Sequence, residues 1–397
     1  MSKKDVVVVS GVRTAIGGFG GGLANHSPAD MSSAVVREAV SRSTLSAEEI
    51  GHCVIGNVVV TEPHDMYLSR VSALRAGLGH ETPAVNVNRL CGSGLQAIIT
   101  AAQQIELDMC TAAVAGGAES MSRAGYLATG ARFGNRIGDG KLIDLMLQAL
   151  HCPVECIHMG NTAEAIAEKW GVSREDQDAL ALESHRRAQA AIEQGRFKEQ
   201  ILPLELKSRK GTTLFEQDEH VRFDASIEDM AKLRPAFKEG GTVTAGNASG
   251  LNDGAAAVVL MEKEAAEQKG LKPLARMVNY AYAGVEPLYM GIGPVPAVKT
   301  LLDKAGLGIK DIDVWEVNEA FAAQAIAVAR DLDIPADRLN PNGSGVGLGH
   351  PIGATGAVIT VKALYELQRV GGRYAVVSMC IGGGQGIAAL FERVESA

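Results

Sequence analysis

Two cysteines, a histidine and an asparagine sit at turns where their side chains could do chemistry. Cys91 lies in NRLCGSGLQAI (88–98), between a polar run and a Gly-Ser-Gly that opens an apolar, helix-like pattern. A helix N-terminus offers unpaired N–H groups and positive potential, which favour thiolate over thiol. No carboxylate occurs from Thr82 to Ile105 and Arg89 is two residues away, so a lowered thiol pKa is the expectation. The same stretch also fits a buried cysteine packed at a glycine-rich turn, since free cysteine is among the most buried residue types.

His350 stands among glycines in NPNGSGVGLGHPIGATGAVI (340–359), just before Pro351. It reads either as a core histidine bonded to backbone or as the base partner of an activated nucleophile. Cys380, in SMCIGGGQGIAA (378–389), ends an apolar run before three glycines, whose N–H groups can approach a ligand as an oxyanion hole requires. Asn318, in VWEVNEAFAAQ (314–324), marks a strand end, where it can hold a water or cap the next helix. HCPVECIHMG (151–160) gathers His151, Cys152, Cys156 and His158, but its spacing is not a common zinc pattern, and no metal is expected. Neither a properly placed G-x-G-x-x-G nor a G-x-x-x-x-G-K-[ST] is present, which excludes the nucleotide-binding Rossmann and P-loop readings.

The elements that must position these residues alternate between strand and helix. VVVVSG (6–11) reads as a buried strand, followed by a helix from SPADMSSAVVREAVSR with Ser27 as N-cap and Pro28 at N1. Strands are expected at 52–60 and 111–120, with a helix opening at CGSG between them, so the class is α/β. A shift of 262 residues lays VREAVSRSTLSAEEI (36–50) on VKTLLDKAGLGIKDI (298–312), CGSGLQAII (91–99) on GATGAVITV (353–361), and AVAGG (113–117) on AVVSM (375–379). Two similar halves follow, and their symmetry brings the helix starts near Cys91 and His350 together. The expected division is an N-terminal half, 1–121, completed by 251–273; an inserted loop domain, 122–250, with an exposed helix over 173–195; and a C-terminal half, 274–397.

The chain of 397 residues is long for a single core, and its net charge of -8 argues against general nucleic-acid binding. The start MSKKDVVVVSG passes directly into a β-branched run, and no apolar run approaches the ~20 residues of a membrane helix. A soluble, cytoplasmic protein with reduced cysteines is the expectation.

NRLCGSGLQA, TVTAGNASGLNDGAA, VNEAFAAQ, GHPIGATG and CIGGGQG, in that order, closely resemble the thiolase family over essentially the full length. IHMGNTAEAIA resembles its acetoacetyl-CoA type; DEHVRF, KLRPAF and MGIGPVPA resemble bacterial beta-ketothiolases. The resemblance implies a thiolase fold: two pseudo-symmetric βαβαβαββ halves in five layers (αβαβα) with a CoA-binding loop domain. It implies reversible Claisen condensation of acetyl-CoA with acyl-CoA by a ping-pong, S-acyl-cysteine route, serving polyhydroxyalkanoate synthesis or fatty-acid breakdown. It also implies a homotetramer, a dimer of dimers contacting through 122–142, with coenzyme A and acyl-CoA as substrates and no permanent cofactor.

By that resemblance Cys91 is the nucleophile, His350 activates it, and Cys380 exchanges the substrate proton. Asn318 orients a water in one oxyanion hole, and the N–H groups of Cys91 and Gly382 form the other. Leu150, His158, Arg222, Phe237, Ala245, Ser249 and Phe321 match coenzyme A contacts, while Leu90, Met159 and Met290 are candidates for the acyl pocket. A decarboxylating ketoacyl synthase of the same fold normally lacks the second cysteine, which disfavours that alternative.

Overall fold

The structure is a computed structural model and describes residues 4–209 and 211–394, so the ends of both expected halves and Lys210 lie outside it. One sheet runs through the molecule in the order Val314–Val317, Tyr374–Ile381, Gln385–Arg393, Ala275–Gly284, Val6–Arg13, Asn252–Glu262, Ala112–Ser120, His52–Gly56, Ala84–Val87. Read outward from its centre, each side repeats the other. Val6–Arg13 and Ala275–Gly284 meet over Val6–Val8 only, each pairs antiparallel with a long neighbour, and parallel strands follow. The parallel edge strand Ala84–Val87 has its counterpart in a single parallel bridge, Trp315 to Leu339.

The 262-residue offset holds in three dimensions. It carries His52–Gly56 onto Val314–Val317 and Ala112–Ser120 onto Tyr374–Ile381 to within a residue at each end. It also carries the helix Ser93–Glu106 onto Thr355–Val370. These two helices are buried nearly all round and pack on one another in the middle layer. Outer helices Pro28–Ser43 and Pro294–Ala305 cover the two sheet halves, which completes five layers.

The inner helices cross at Gly94 and Gly356. A Cβ on Gly94 would lie 2.6 Å from Ala357 N, and one on Gly356 would lie 2.3 Å from Leu95 N. Only glycine lets the two backbones approach this closely.

The local expectations hold at Pro28–Ser43, where Ser27 accepts from Asp30 N in a capping box. Two others need correction. The strand expected over 52–60 stops at Gly56, because the N–H groups of Val58 and Val59 turn aside to the Glu119 carboxylate. The helix expected to be exposed over 173–195 spans Arg174–Glu193 and buries Gln177, Ala181, Ser184, His185 and Ala188. Its polar residues face polar backbone: Ser184 Oγ accepts from the N–H groups of Ser344 and Gly347. Gly343 and Gly347 have no Cβ to keep that loop off the helix.

Candidate functional site

Cys91 sits in a tight turn between the strand Ala84–Val87 and the helix Ser93–Glu106. Leu90 takes φ +47°, a left-handed conformation that costs a branched side chain roughly 1–3 kcal/mol. Side chains hold the turn there. Asn88 Oδ1 accepts from Leu90 N at 3.0 Å, and Ser93 Oγ accepts from Arg89 N at 2.9 Å and donates to Leu90 O at 2.7 Å. Gly92 has no room for a side chain, since a Cβ would meet Ile381 Cδ1 at 2.7 Å.

The electrostatics of Cys91 differ from the sequence expectation. Burial pushes its thiol up to about 11, although the N–H groups of Gly382 and of Cys91 itself pull it down. Glu119 adds a small push upward, and the Arg89 guanidinium lies 4.6 Å from the Tyr282 ring and donates to Gln385. The helix-start donors act in the expected direction, but desolvation outweighs them. The resting sulfur is a thiol and needs a base.

His350 can be that base. It is 5% exposed, and burial lowers its pKa to about 4, so the ring is neutral near pH 7. Its backbone N–H donates to Asn252 Oδ1 at 2.9 Å, and its ring Nδ1 lies 2.6 Å from Thr355 Oγ1. The Thr355 hydroxyl donates to Pro351 O, so it accepts from Nδ1–H and leaves Nε2 with the lone pair. Nε2 is 3.5 Å from Asn318 Nδ2. Asn318 follows the strand Val314–Val317, and the next helix is capped at Phe321, so helix capping is not its use. Among the described residues no donor reaches Asn318 Oδ1.

Cys380 is the penultimate residue of the strand Tyr374–Ile381 and is fully buried. Burial pushes its thiol far up and the nearby Cys91 adds to the shift, so the two sulfurs share one site. At Gly382 a Cβ would lie 2.8 Å from Met159 Cε and 3.5 Å from Leu90 Cδ1, which puts both side chains beside its N–H. Gly383 and Gly384 take φ +82° and +87°, bending the chain back into Gln385–Arg393.

An apolar wall adjoins the thiols: Cys152, Met159, Ala248, Met290 and Phe321 pack in one buried cluster with Cys380, and Phe237 packs against it. The His158 ring stacks on Phe237 at 4.8 Å between centroids. His158 Nδ1 accepts from Gly160 N at 3.0 Å, which leaves the neutral ring's proton on Nε2. Burial, helped by His151, lowers its pKa. Ser249 is half-buried and donates its N–H to Ala320 O, and Leu150 O accepts from Met159 N. Ala245 and Arg222 are exposed; the Arg222 N–H donates to His185 Nδ1. The structure thus gathers Cys91, Cys380, Gly382, Leu90 and Met159 at one point and pairs His350 with Asn318. Arg222 and Ala245 stand at the surface.

In the hairpin His151–Cys152/Ile157–His158, Cys152 is buried and Cys156 exposed at φ +55°. Among the described residues no three His, Cys, Asp or Glu side chains converge as a metal ion would require. Sequence reasoning missed Asn252 and Thr355, which orient His350, and Glu119, which bonds Gly353 N in the same loop. A polar residue at an apolar strand's end, as in GGAES and LNDG, was the available signal for Glu119 and Asn252.

Comparison with known proteins sets this geometry in context. The family profile for the thiolase N-terminal domain matches residues 6–264, and that for the thiolase C-terminal domain matches 271–393. The chain is 63% identical over 392 residues to beta-ketothiolase BktB of Cupriavidus necator, spanning 98% of this chain and 100% of that protein. It is 44% identical over 390 residues to the human mitochondrial 3-ketoacyl-CoA thiolase, spanning 98% of each. Among solved structures it is similar to the acetyl-CoA acetyltransferase of Bacillus anthracis, with TM-score 0.96 and 45% identity over 99% of this chain and 100% of that one. It is also similar to human mitochondrial 3-ketoacyl-CoA thiolase in complex with CoA, with TM-score 0.95 and 43% identity over 99% of this chain and 98% of that one.

Proposed function

This chain belongs to the thiolase family, and from that premise we propose how its two thiols divide the work of acyl transfer. It is a beta-ketothiolase, an acyltransferase acting on CoA thioesters. The observations that carry the proposal are the buried Cys380 thiol beside the partly buried Cys91 and the neutral, oriented imidazole of His350.

In the thiolysis direction, His350 Nε2 takes the proton of Cys91, and the sulfur attacks the 3-carbonyl carbon of a 3-ketoacyl-CoA. The bond between C2 and C3 breaks, leaving the acyl group on Cys91. The departing acetyl-CoA enolate takes a proton from Cys380, a group that burial keeps protonated and ready as an acid. Incoming CoA thiol then gives its proton to the Cys380 thiolate and attacks the acyl-Cys91. The released Cys91 sulfur takes back the proton from His350. Condensation is the same path reversed, with Cys380 as the base toward the acetyl methyl group.

Negative charge develops on oxygen in both halves of the cycle. The N–H groups of Cys91 and Gly382 serve the tetrahedral oxyanion on the nucleophile's side. Once protonated, His350 Nε2 becomes a donor and, with a water oriented by Asn318, serves the thioester enolate. One such donor is typically worth about 3 kcal/mol of transition-state stabilisation.

Acetyl-CoA, acyl-CoA and CoA are the substrates of this reading. Leu150, His158, Arg222, Phe237, Ala245, Ser249 and Phe321 contact the coenzyme, and Leu90, Met159 and Met290 bound the acyl group. Residues 122–250 form the loop domain between halves 1–121, completed by 251–273, and 274–397. The enzyme works as a cytoplasmic homotetramer, a dimer of dimers. Supporting that assembly, the arm around the hairpin Tyr126–Ala128/Leu142–Asp144 exposes Phe133 by 95% and Ile137 by 91%. Among the described residues no helix is long and apolar enough to cross a membrane.

The direct test is to incubate the enzyme with acetyl-CoA alone, quench with acid and map the label. One acetyl group on the Cys91 peptide is expected. An acetyl group on Cys380 instead would reverse the two roles.

A further inference from the structure

The second glycine-rich corner holds a carboxylate that these steps do not use. The 262-residue shift carries Cys91 onto Gly353. A Cβ on Gly353 would lie 2.6 Å from Glu119 Oε2 and 3.0 Å from the Asn57 Cα. Where the nucleophile's counterpart would project a side chain, the space is filled by Glu119.

Glu119 is fully buried as the penultimate residue of the strand Ala112–Ser120. Its Oε2 accepts from Gly353 N at 2.8 Å and Val58 N at 3.1 Å. Its Oε1 accepts from Asn57 Nδ2 at 3.0 Å and Val59 N at 3.1 Å. All four partners are donors, so neither oxygen has a place for a proton, and the cradle fits the anion. Burial pushes this carboxyl up to about 8, although the N–H groups of Val59, Gly353 and Val58 pull it down.

The bonds join two halves of the molecule. Gly353 belongs to the loop that carries His350, whereas Asn57–Val59 follow the strand His52–Gly56 on the Cys91 side.

We propose that Glu119 is a positioning residue for acyl transfer: its carboxyl ties Gly353, in the His350 loop, to Asn57, Val58 and Val59 on the Cys91 side, and so fixes where His350 stands relative to Cys91. The proposal rests on Cys91 being the nucleophile.

The test uses Glu119→Gln and Glu119→Asp in the full-length enzyme with two readouts. In E119Q, kcat for acetoacetyl-CoA thiolysis is expected to fall about 10–100-fold with KM for CoA within about twofold, the mark of a misplaced base. Acetylation of Cys91 by acetyl-CoA, which uses the His350 base, is expected to slow by the same factor, and E119D, which keeps the carboxyl on a shorter arm, should recover part of that rate. Acetylation at the parental rate in E119Q overturns the proposal, as does an E119D no faster than E119Q. Parental kcat in E119Q overturns it too.

Should E119Q fail to fold, Gly353→Ala presses on the same carboxylate from the loop side. It is expected to lower kcat at least about tenfold, and a parental kcat overturns the proposal. Mapping the alkylated cysteine in the parent enzyme tests the underlying reading separately. Loss of turnover with no label on Cys91 would remove the nucleophile assignment whatever Glu119 does.

Discussion

The corner at Cys91 and the corner at Gly353 are built on one plan and do different work. Each lies where the chain enters a buried inner helix, Ser93–Glu106 or Thr355–Val370, and the two helices touch at equivalent glycines. In the first, a left-handed Leu90 thrusts a sulfur toward Gly382 and Cys380. In the second, glycine replaces the cysteine, a carboxylate occupies the space, and His350 enters from three residues upstream. The shared frame supplies helix starts and close approach. Chemistry comes from what each corner buries beside the turn.

The largest expected difference between the corners is catalytic. Cys91→Ser should lower kcat for acetoacetyl-CoA thiolysis on the order of 10⁴-fold while the protein still folds, because the hydroxyl is a far weaker nucleophile. Steady-state assays with purified variant check this, and turnover within about tenfold of the parent would break the comparison.

Next come the crossing glycines, which sharpen the symmetry. Gly94→Ala and Gly356→Ala each drive a Cβ into backbone of the opposite helix. Each should cost about 2–3 kcal/mol in urea unfolding. Similar costs at both positions support the equivalence; a tolerated substitution at either one breaks it.

A smaller effect is expected from pH. His350 and His185 are each lowered from 6.5 to about 4 by burial, so the unfolded chain binds more protons than the folded one between those values. Stability from these groups is complete above pH 6.5 and is lost as pH falls toward 4, by roughly 2 kcal/mol or more. The buried carboxyls Glu119 and Glu316, raised to about 8 and about 7, act the other way in this window, so the histidine share is read as the difference in urea midpoint between the parent and His350→Asn. That difference should shrink with acid; a constant one would contradict the buried, neutral state of His350.

The smallest effect contrasts a glycine that fills no space between elements. Gly371 ends the inner helix at φ +64° with open space around its Cβ position. Gly371→Ala should cost about 1 kcal/mol, from backbone strain alone. A loss equal to that of Gly356→Ala would mean that packing does not distinguish them.

The repeat was legible in the sequence because the same strand, turn and helix signals recur at one offset, with Gly94 and Gly356 in register. That symmetry gave a reason for the Cys91 and His350 corners to meet. The direction of the Cys91 shift was not legible, because desolvation comes from the distant segments that cover the sulfur, whereas the helix start is local. Glu119, Asn252 and Thr355 were missed for a related reason. Glu119 and Asn252 find partners more than ninety residues away, and Thr355 acts only once its helix start fixes His350. The inner face of Arg174–Glu193 read as solvated because Ser184 and His185 meet backbone N–H groups of distant loops, a pairing that hydrophobic periodicity does not register.

The division of labour between the two thiols is tested most directly by Cys380→Ala with acetyl-CoA in deuterated water. Some acetylation of Cys91 should persist, because His350 still activates the sulfur and a thiolate can leave without the Cys380 proton, while deuterium exchange at the acetyl methyl group should be suppressed. Exchange at the parental rate would contradict the account, since the proton would then be moving through another group.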